Sequence, residues 1–320
     1  MLQIILIILQ SILIISISPL VIGYIRKIKA RMQSRVGSPI YQPYVELYKL
    51  VRKDSVVPKN TSWVFLTVPY LLVAIVVTIS FFIPAITIVS TTTNSYMDGI
   101  LDIMGIIYLL AFFTFLIAIA AFDAGSSFGG LGAAREYMFS VIVEPIMFLA
   151  FLAPVIISGS AQISQIINYN ATNFSLETFA VLMICLIGFF IALLAENARF
   201  PFDNPSTHLE LTMVHEAMIL DYSGKQLALV EVASWIKLVL FFSIASAMFI
   251  PWGINVGELT IGNLSLGLLF FLIKIFSFAT VIALIESTIA KLRIMKLPTL
   301  LAFAFLLVTV GVIYMIIFVK

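Results

Sequence analysis

The chain has 320 residues, of which 62% are hydrophobic and 11% charged, against roughly 25% charged in an ordinary soluble domain. The mean hydropathy of +1.15 excludes a soluble enzyme, a nucleic-acid binder and a disordered tail, and marks a polytopic membrane protein. The net charge of +2 says little about partners, because in such a chain the placement of charge is what counts.

A helix crossing the ~30 Å hydrocarbon layer takes about 20 apolar residues. Apolar runs set against polar breaks give spans near 2–25, 63–89, 100–122, 136–158, 176–196, 228–251, 266–290 and 298–319. The expected fold is therefore all-α, a single membrane domain of about eight transmembrane helices. The first run has no Lys or Arg before it and a dense basic cluster after it, so it reads as a retained span and not as a cleaved signal peptide. Pro19, Pro69, Pro84, Pro145, Pro154 and Pro251 fall inside or at the edges of these spans, where each removes a backbone donor and favours a kink.

Lys and Arg occupy alternate loops: nine in 26–62, then Arg135, then Arg199 and Lys225, then three in 291–297, while the opposite loops hold none. The positive-inside rule makes loops 26–62, 123–135, 197–227 and 291–297 cytoplasmic and puts both termini outside. Asn-x-Ser/Thr sites at Asn170, Asn173 and Asn263 fall in the outer loops, in agreement. The lone Cys185, in an apolar run, makes neither an intrachain disulfide nor a four-thiolate metal site, and reads as packing.

In the first cytoplasmic loop, Arg26, Lys27, Lys29, Arg31 and Arg35 precede a stretch, Tyr41 to Val51, that suits a short amphipathic helix in the headgroup layer. Two readings of the basic cluster stand: topology and attraction to anionic lipid, worth ~1 kcal/mol per residue, or a docking surface for a peripheral subunit.

The loop from Glu196 to Lys225 holds both histidines and a dense group of carboxylates: Asp203, Glu210, Glu216 and Asp221 beside His208 and His215. Asn204-Pro205 reads as a helix start and Gly224 as its end. At 100° per residue, His208, Thr212, His215 and Glu216 share one face, while Glu210 points away. The histidine spacing lacks a zinc-ligand pattern. Surface capping of a loop helix and a polar cavity able to pass protons remain the two readings. Within the spans, Glu144, Lys237 and Lys274 lie near the middle, and Glu196, Glu231 and Glu286 towards the cytoplasmic ends. A central charge costs about 2.5–3.5 kcal/mol on insertion scales unless it pairs, neutralises or meets water. These residues are read as a hydrated relay or as static pairs; Glu136 and Glu177, at span ends, read as rim residues.

The residues Glu196-x-x-Arg199-x-Pro201-Phe202-Asp203-x-Pro205, Asp221-Tyr-Ser-Gly224 and Gly129-Gly-Leu-Gly-Ala-Ala-Arg135 resemble the membrane subunit that joins the two arms of respiratory complex I, the complex I subunit 1 (H-subunit) family. Ser206 and His208 stand where the quinone-reducing branch carries acids, and Thr207 to Glu216 resembles the branch found in energy-converting membrane-bound nickel–iron hydrogenases. The resemblance implies a non-redox subunit of a prokaryotic cell-membrane complex, binding no metal or cofactor itself. It would anchor hydrogenase large and small subunits, which hold the nickel–iron centre and iron–sulfur clusters and take electrons from ferredoxin, onto antiporter-like membrane subunits. Arg26, Lys27, Lys29, Arg31, Arg35, Arg135 and Arg199 are then the expected partner-facing residues. A sulfur-reducing or quinone-reducing relative and a free-standing secondary transporter are the alternatives.

Overall fold

The computed structural model describes residues 2–88, 101–172, 175–203, 213–255, 260–290 and 292–318. Their helices, in chain order, are α1 (Leu2–Met32), α2 (Gln42–Arg52), α3 (Trp63–Phe82), α4 (Ile103–Asp123), α5 (Ser127–Ser158), α6 (Ile163–Thr172), α7 (Leu176–Glu196), α8 (His215–Ile219), α9 (Gly224–Phe249), α10 (Ile261–Thr288) and α11 (Leu297–Phe318). Eight of these, all but α2, α6 and α8, are long and apolar enough to cross a membrane. The fold is all-helical, as the composition requires.

Helix ends are set by local chemistry. Ser62 caps α3 by accepting the Val64 amide at 3.2 Å, and Asp123 at the far end of α4 accepts the amides of Ser62 and Phe65 at 2.9 and 3.2 Å. The Ser126 hydroxyl caps α5 through the Gly129 amide at 3.1 Å. Pro19, Pro69, Pro145 and Pro154 lie inside helices, whereas Pro84 and Pro251 follow the ends of α3 and α9.

Every residue of α9 from Trp235 to Phe249 is buried. A helix apolar on all sides belongs at the centre of a bundle, and α9 packs against α1, α3, α7 and α10. Small residues permit the closest approaches. A Cβ on Gly188 of α7 would meet the Ala304 carbonyl of α11 at 3.1 Å, and one on Gly132 of α5 would meet the Val214 carbonyl at 2.7 Å, at the entry to α8.

The end of the bundle away from the basic loops is tied together. The buried Gln10 side chain of α1 accepts the amides of Ala85 and Ile86 at 2.8 and 2.9 Å and donates to the Thr87 carbonyl at 3.3 Å. Residues 86–88 pair in turn with Asn255. Lys274, on α10, donates to the Ile250 carbonyl at 2.5 Å.

Two expectations are corrected. Gly224 opens α9 and does not end a preceding helix: its φ of +52° and the Asp54 carbonyl, 2.6 Å from where a Cβ would sit, both demand glycine there. The helix described in this loop is the five-residue α8, and the expected start at Asn204 lies outside the described residues. Asn170 is no exposed outer-loop acceptor; it sits on α6, a short helix that the apolar runs do not announce, and its buried amide donates to the Met248 carbonyl at 3.1 Å. Asn173 lies outside the described residues.

Candidate functional site

On the side of the basic loops, α1, α7, α8, α9 and α10 and the turn after α7 enclose a cavity of about 670 Å³. Five cationic side chains line it, Arg26, Lys29, Arg35, Arg199 and Lys237, and five anionic ones, Glu196, Asp203, Glu216, Glu231 and Glu286, together with His215. Such balance favours neither an anion nor a cation and suits a hydrated, internally paired network.

Lys237 is the deepest cation. Its ammonium lies 2.9 Å from Glu196 Oε1, with side-chain exposures of 5% and 7%. It also donates to Thr114 Oγ1 at 2.9 Å and to the Glu196 carbonyl at 3.3 Å, and sits 4.8 Å from the Phe113 ring centroid. The Thr114 hydroxyl donates to Glu196 Oε1 at 2.6 Å, closing a three-residue knot between α4, α7 and α9. Glu136 of α5 is 5% exposed and lies in the electrostatic field of Glu196, Lys237 and Asp203.

A second knot fixes the mouth. Glu286 Oε2 meets Lys29 and Oε1 meets Arg199, each at 3.2 Å, so one carboxylate joins α1, α10 and the turn after α7. Asp203, 2% exposed, uses Oδ2 to accept the amides of Val214 and His215 at 2.9 and 3.1 Å. Arg135 holds the Met213 carbonyl at 3.2 Å. Here the Gly129-Gly-Leu-Gly-Ala-Ala run acquires its reason: with no Cβ at Gly132, the segment entering α8 rests directly on α5.

Electrostatics divide the two groups at the start of α8. Burial, aided by the Lys237 ammonium, pulls the His215 imidazole down to about 4, so it is neutral at pH 7. Burial, and then the Asp203 carboxylate, push Glu216 up to about 7 against the pull of Arg199 and Arg26. Glu216 therefore exchanges its proton near neutrality.

Glu144 stands apart from the cavity. It is exposed on the outer surface of α5, yet shares with Glu196 a crevice of about 20 Å³ lined by Ile107, Leu110, Met147 and Phe241. That is room for about one water.

The structure thus gathers Glu196, Asp203, His215, Glu216, Glu231, Lys237 and Glu286 around one cavity. Besides Glu144, it places two expected members elsewhere. Asp221 accepts the Ser126 hydroxyl at 2.6 Å, at the junction of α4 and α5. Lys274 caps the far end of α9, 13 residues or roughly 20 Å along that helix from Lys237. His208 and Glu210 lie outside the described residues. Of the expected partner-facing cations, Lys29 and Arg199 turn inward to Glu286, Arg26 pairs with Glu46 at 2.7 Å, and Lys27 holds the Val36 carbonyl at 2.7 Å. Arg31 is exposed. Sequence reasoning misses Thr114 and Glu136. Glu136 reads as a rim residue only if its span begins there; α5 begins at Ser127, which carries Glu136 two and a half turns into the helix. Among the described residues, no three His, Cys, Asp or Glu side chains converge as a metal site.

The NADH dehydrogenase family model matches residues 3–318. The chain belongs to that family. Two relatives from Escherichia coli (strain K12) match most of its length. Hydrogenase-4 component C is 32% identical over 284 residues, 89% of this chain and 87% of the relative. Formate hydrogenlyase subunit 4 is 31% identical over 301 residues, 93% and 95% of the two chains. A chain in the structure of the membrane-bound sulfane sulfur reductase, an archaeal respiratory membrane complex, superposes with a TM-score of 0.82 at 18% identity, over 98% of this chain and 99% of that one. That last likeness is one of fold. Within the family, the knots at Lys237 and Glu286 give the buried charges of this chain a defined geometry.

Proposed function

We propose that this NADH dehydrogenase family member is the membrane coupling subunit of an ion-translocating oxidoreductase complex of the hydrogenase type. The observation that carries the reading is that Glu196, paired with Lys237, lines both the cavity, which it shares with Glu216 and Glu231, and the crevice, which it shares with Glu144 at the outer surface of α5. The similarity to hydrogenase-4 component C and formate hydrogenlyase subunit 4 supports the choice of branch.

In this reading the basic loops face the cytoplasm and both termini lie outside. Hydrogenase large and small subunits dock over the cavity mouth, carry the nickel–iron centre and iron–sulfur clusters, and take electrons from ferredoxin. A charge change in that docked module shifts the protonation of Glu216 and its neighbours. The proton, or a sodium ion exchanged against it, leaves through Glu144 into an antiporter-like membrane subunit. A sodium or proton transporter acting alone needs a route through the opposite end, where Gln10, residues 85–88 and Asn255 are bonded together; the sideways route through Glu144 suits a subunit of a complex.

The test is purification of the tagged chain with its partners in mild detergent, followed by nickel and iron analysis and a hydrogen-evolution assay with reduced ferredoxin. Nickel with hydrogen evolution is the expected result. Iron without nickel or hydrogen evolution moves the assignment to a sulfur- or quinone-reducing complex, and a metal-free chain that purifies alone overturns it.

A further inference from the structure

Helix α2 has two unlike faces. Pro43 is buried and Leu47 packs against the bundle core. Tyr41, Tyr44, Tyr48 and Val51 are 63%, 39%, 56% and 52% exposed, and with Arg52 they fall within an arc of about 100° that is centred about 130° from Pro43 and has Leu47 at its margin. A surface turned to bulk water carries charge along such an arc; three tyrosines and a valine are the composition of a membrane–water boundary.

The placement of the helix fits that boundary. Its approach and exit are seated on two glycines: a Cβ on Gly23 of α1 would collide with the Ile40 carbonyl, and one on Gly224 of α9 would strike the Asp54 carbonyl. The Tyr44 hydroxyl donates to the carbonyl of Ser16, an exposed residue within the α1 span. The tyrosine face is therefore continuous with the outer surface of α1, where Ile12 is 58% exposed.

Charge is arranged beside this face. Lys49, Arg52 and Lys53 are exposed, and the Arg52 guanidinium lies 4.2 Å from the Tyr48 ring centroid. Of the nearby acids, Glu46 is neutralised by Arg26 at 2.7 Å, and Asp54 alone follows the helix end.

We propose that α2 lies in the plane of the bilayer surface, with its tyrosines at the acyl-chain boundary, and that Lys49, Arg52 and Lys53 hold the phosphate of an anionic phospholipid beside Tyr48. The amphiphile is specified by both halves of the site: the ring face takes the glycerol and upper acyl region, and the cations take the headgroup.

The test uses the purified complex in lipid nanodiscs. Tyr48→Trp places an indole at the site and keeps an aromatic partner for Arg52, and the signal of Trp63, Trp235 and Trp252 is subtracted with the parent protein. The probes are dibrominated phosphatidylglycerol and dibrominated phosphatidylcholine at equal mole fraction. Each basic residue near an anionic surface is worth about fivefold, so Lys49, Arg52 and Lys53 together set a ceiling of about a hundredfold, and phosphatidylglycerol is expected to quench the new indole at least about fivefold more effectively. In the Lys49→Gln/Arg52→Gln/Lys53→Gln background the two lipids are expected to quench alike. Molar salt is expected to erase the preference in the protein with its basic cluster intact, a readout that needs no further substitution. No quenching by either lipid, as when a protein subunit or water covers this face, overturns the proposal. So does equal quenching at low salt, a preference that survives molar salt, or one abolished by millimolar inorganic phosphate.

Discussion

Lys237 and Glu196 meet at 2.9 Å between α9 and α7, both side chains almost wholly enclosed, with Thr114 bonded to each. Breaking a buried pair by removing one partner leaves the other charge uncompensated, at a cost of about 3–5 kcal/mol. Lys237→Met is therefore expected to destabilise the protein strongly, and Lys237→Met/Glu196→Gln to recover most of the loss. Thermal unfolding in detergent of the four members of this cycle measures the coupling; additive effects of the two substitutions count against the pair.

Glu144→Gln and Glu231→Gln are expected to assemble at parent levels and to keep electron transfer, yet to lose the ion gradient that accompanies it. Glu144 is exposed in the isolated chain and Glu231 lines the cavity, so neither substitution disturbs a closed packing. The check is a pH- or sodium-sensitive dye in proteoliposomes of the complex, read beside hydrogen evolution. Parent-level gradients in both variants rule out the relay.

Glu216 is expected to lose its proton with a midpoint near 7, visible as the disappearance of a protonated carboxyl infrared band that Glu216→Gln lacks. The same shift fixes a sign for stability. A carboxyl raised from 4.5 to about 7 contributes stability that is complete below 4.5 and is lost as pH rises through 7. His215, lowered from 6.5 to about 4, contributes stability that is complete above 6.5 and is lost as pH falls through 4. Protection factors in α8, in which the intrinsic pH dependence of amide exchange is divided out, are therefore expected to fall only on acidification in Glu216→Gln, and only on alkalinisation in His215→Phe.

Gly132→Ala tests the seating of α8. The added methyl meets the Val214 carbonyl at 2.7 Å and the Ala217 methyl at 2.9 Å, both on the segment it supports. Overpacking of this kind costs about 1–3 kcal/mol. Amides of residues 214–219 are expected to lose protection while the spans keep theirs, as hydrogen exchange would show.

Hydropathy made the eight long helices legible because a bilayer leaves the backbone few alternatives. It misplaced their ends where polar residues extend a helix past its apolar run. α5 runs nine residues ahead of the expected span through Ser127-Phe-Gly-Gly-Leu-Gly-Ala-Ala-Arg135, and this alone hid the burial of Glu136. Gly224 misled for another reason: its positive φ is the usual mark of a helix end, but here it serves the turn into α9 beside Asp54. Charged residues in apolar runs announced the site, since each demands a partner, but not which partner. Glu286 with Lys29 and Arg199, and Lys237 with Thr114, arise from helix packing that no local spacing encodes. Lys274 shows the converse, a mid-span charge that holds the Ile250 carbonyl.

Asp203 accepts the amides of Val214 and His215, so two consecutive donors at the entry to α8 share a single carboxylate oxygen. A short helix fastened by one oxygen at its start and seated on the bare backbone of Gly132 loosens as a unit and passes little of that change to α7 and α9.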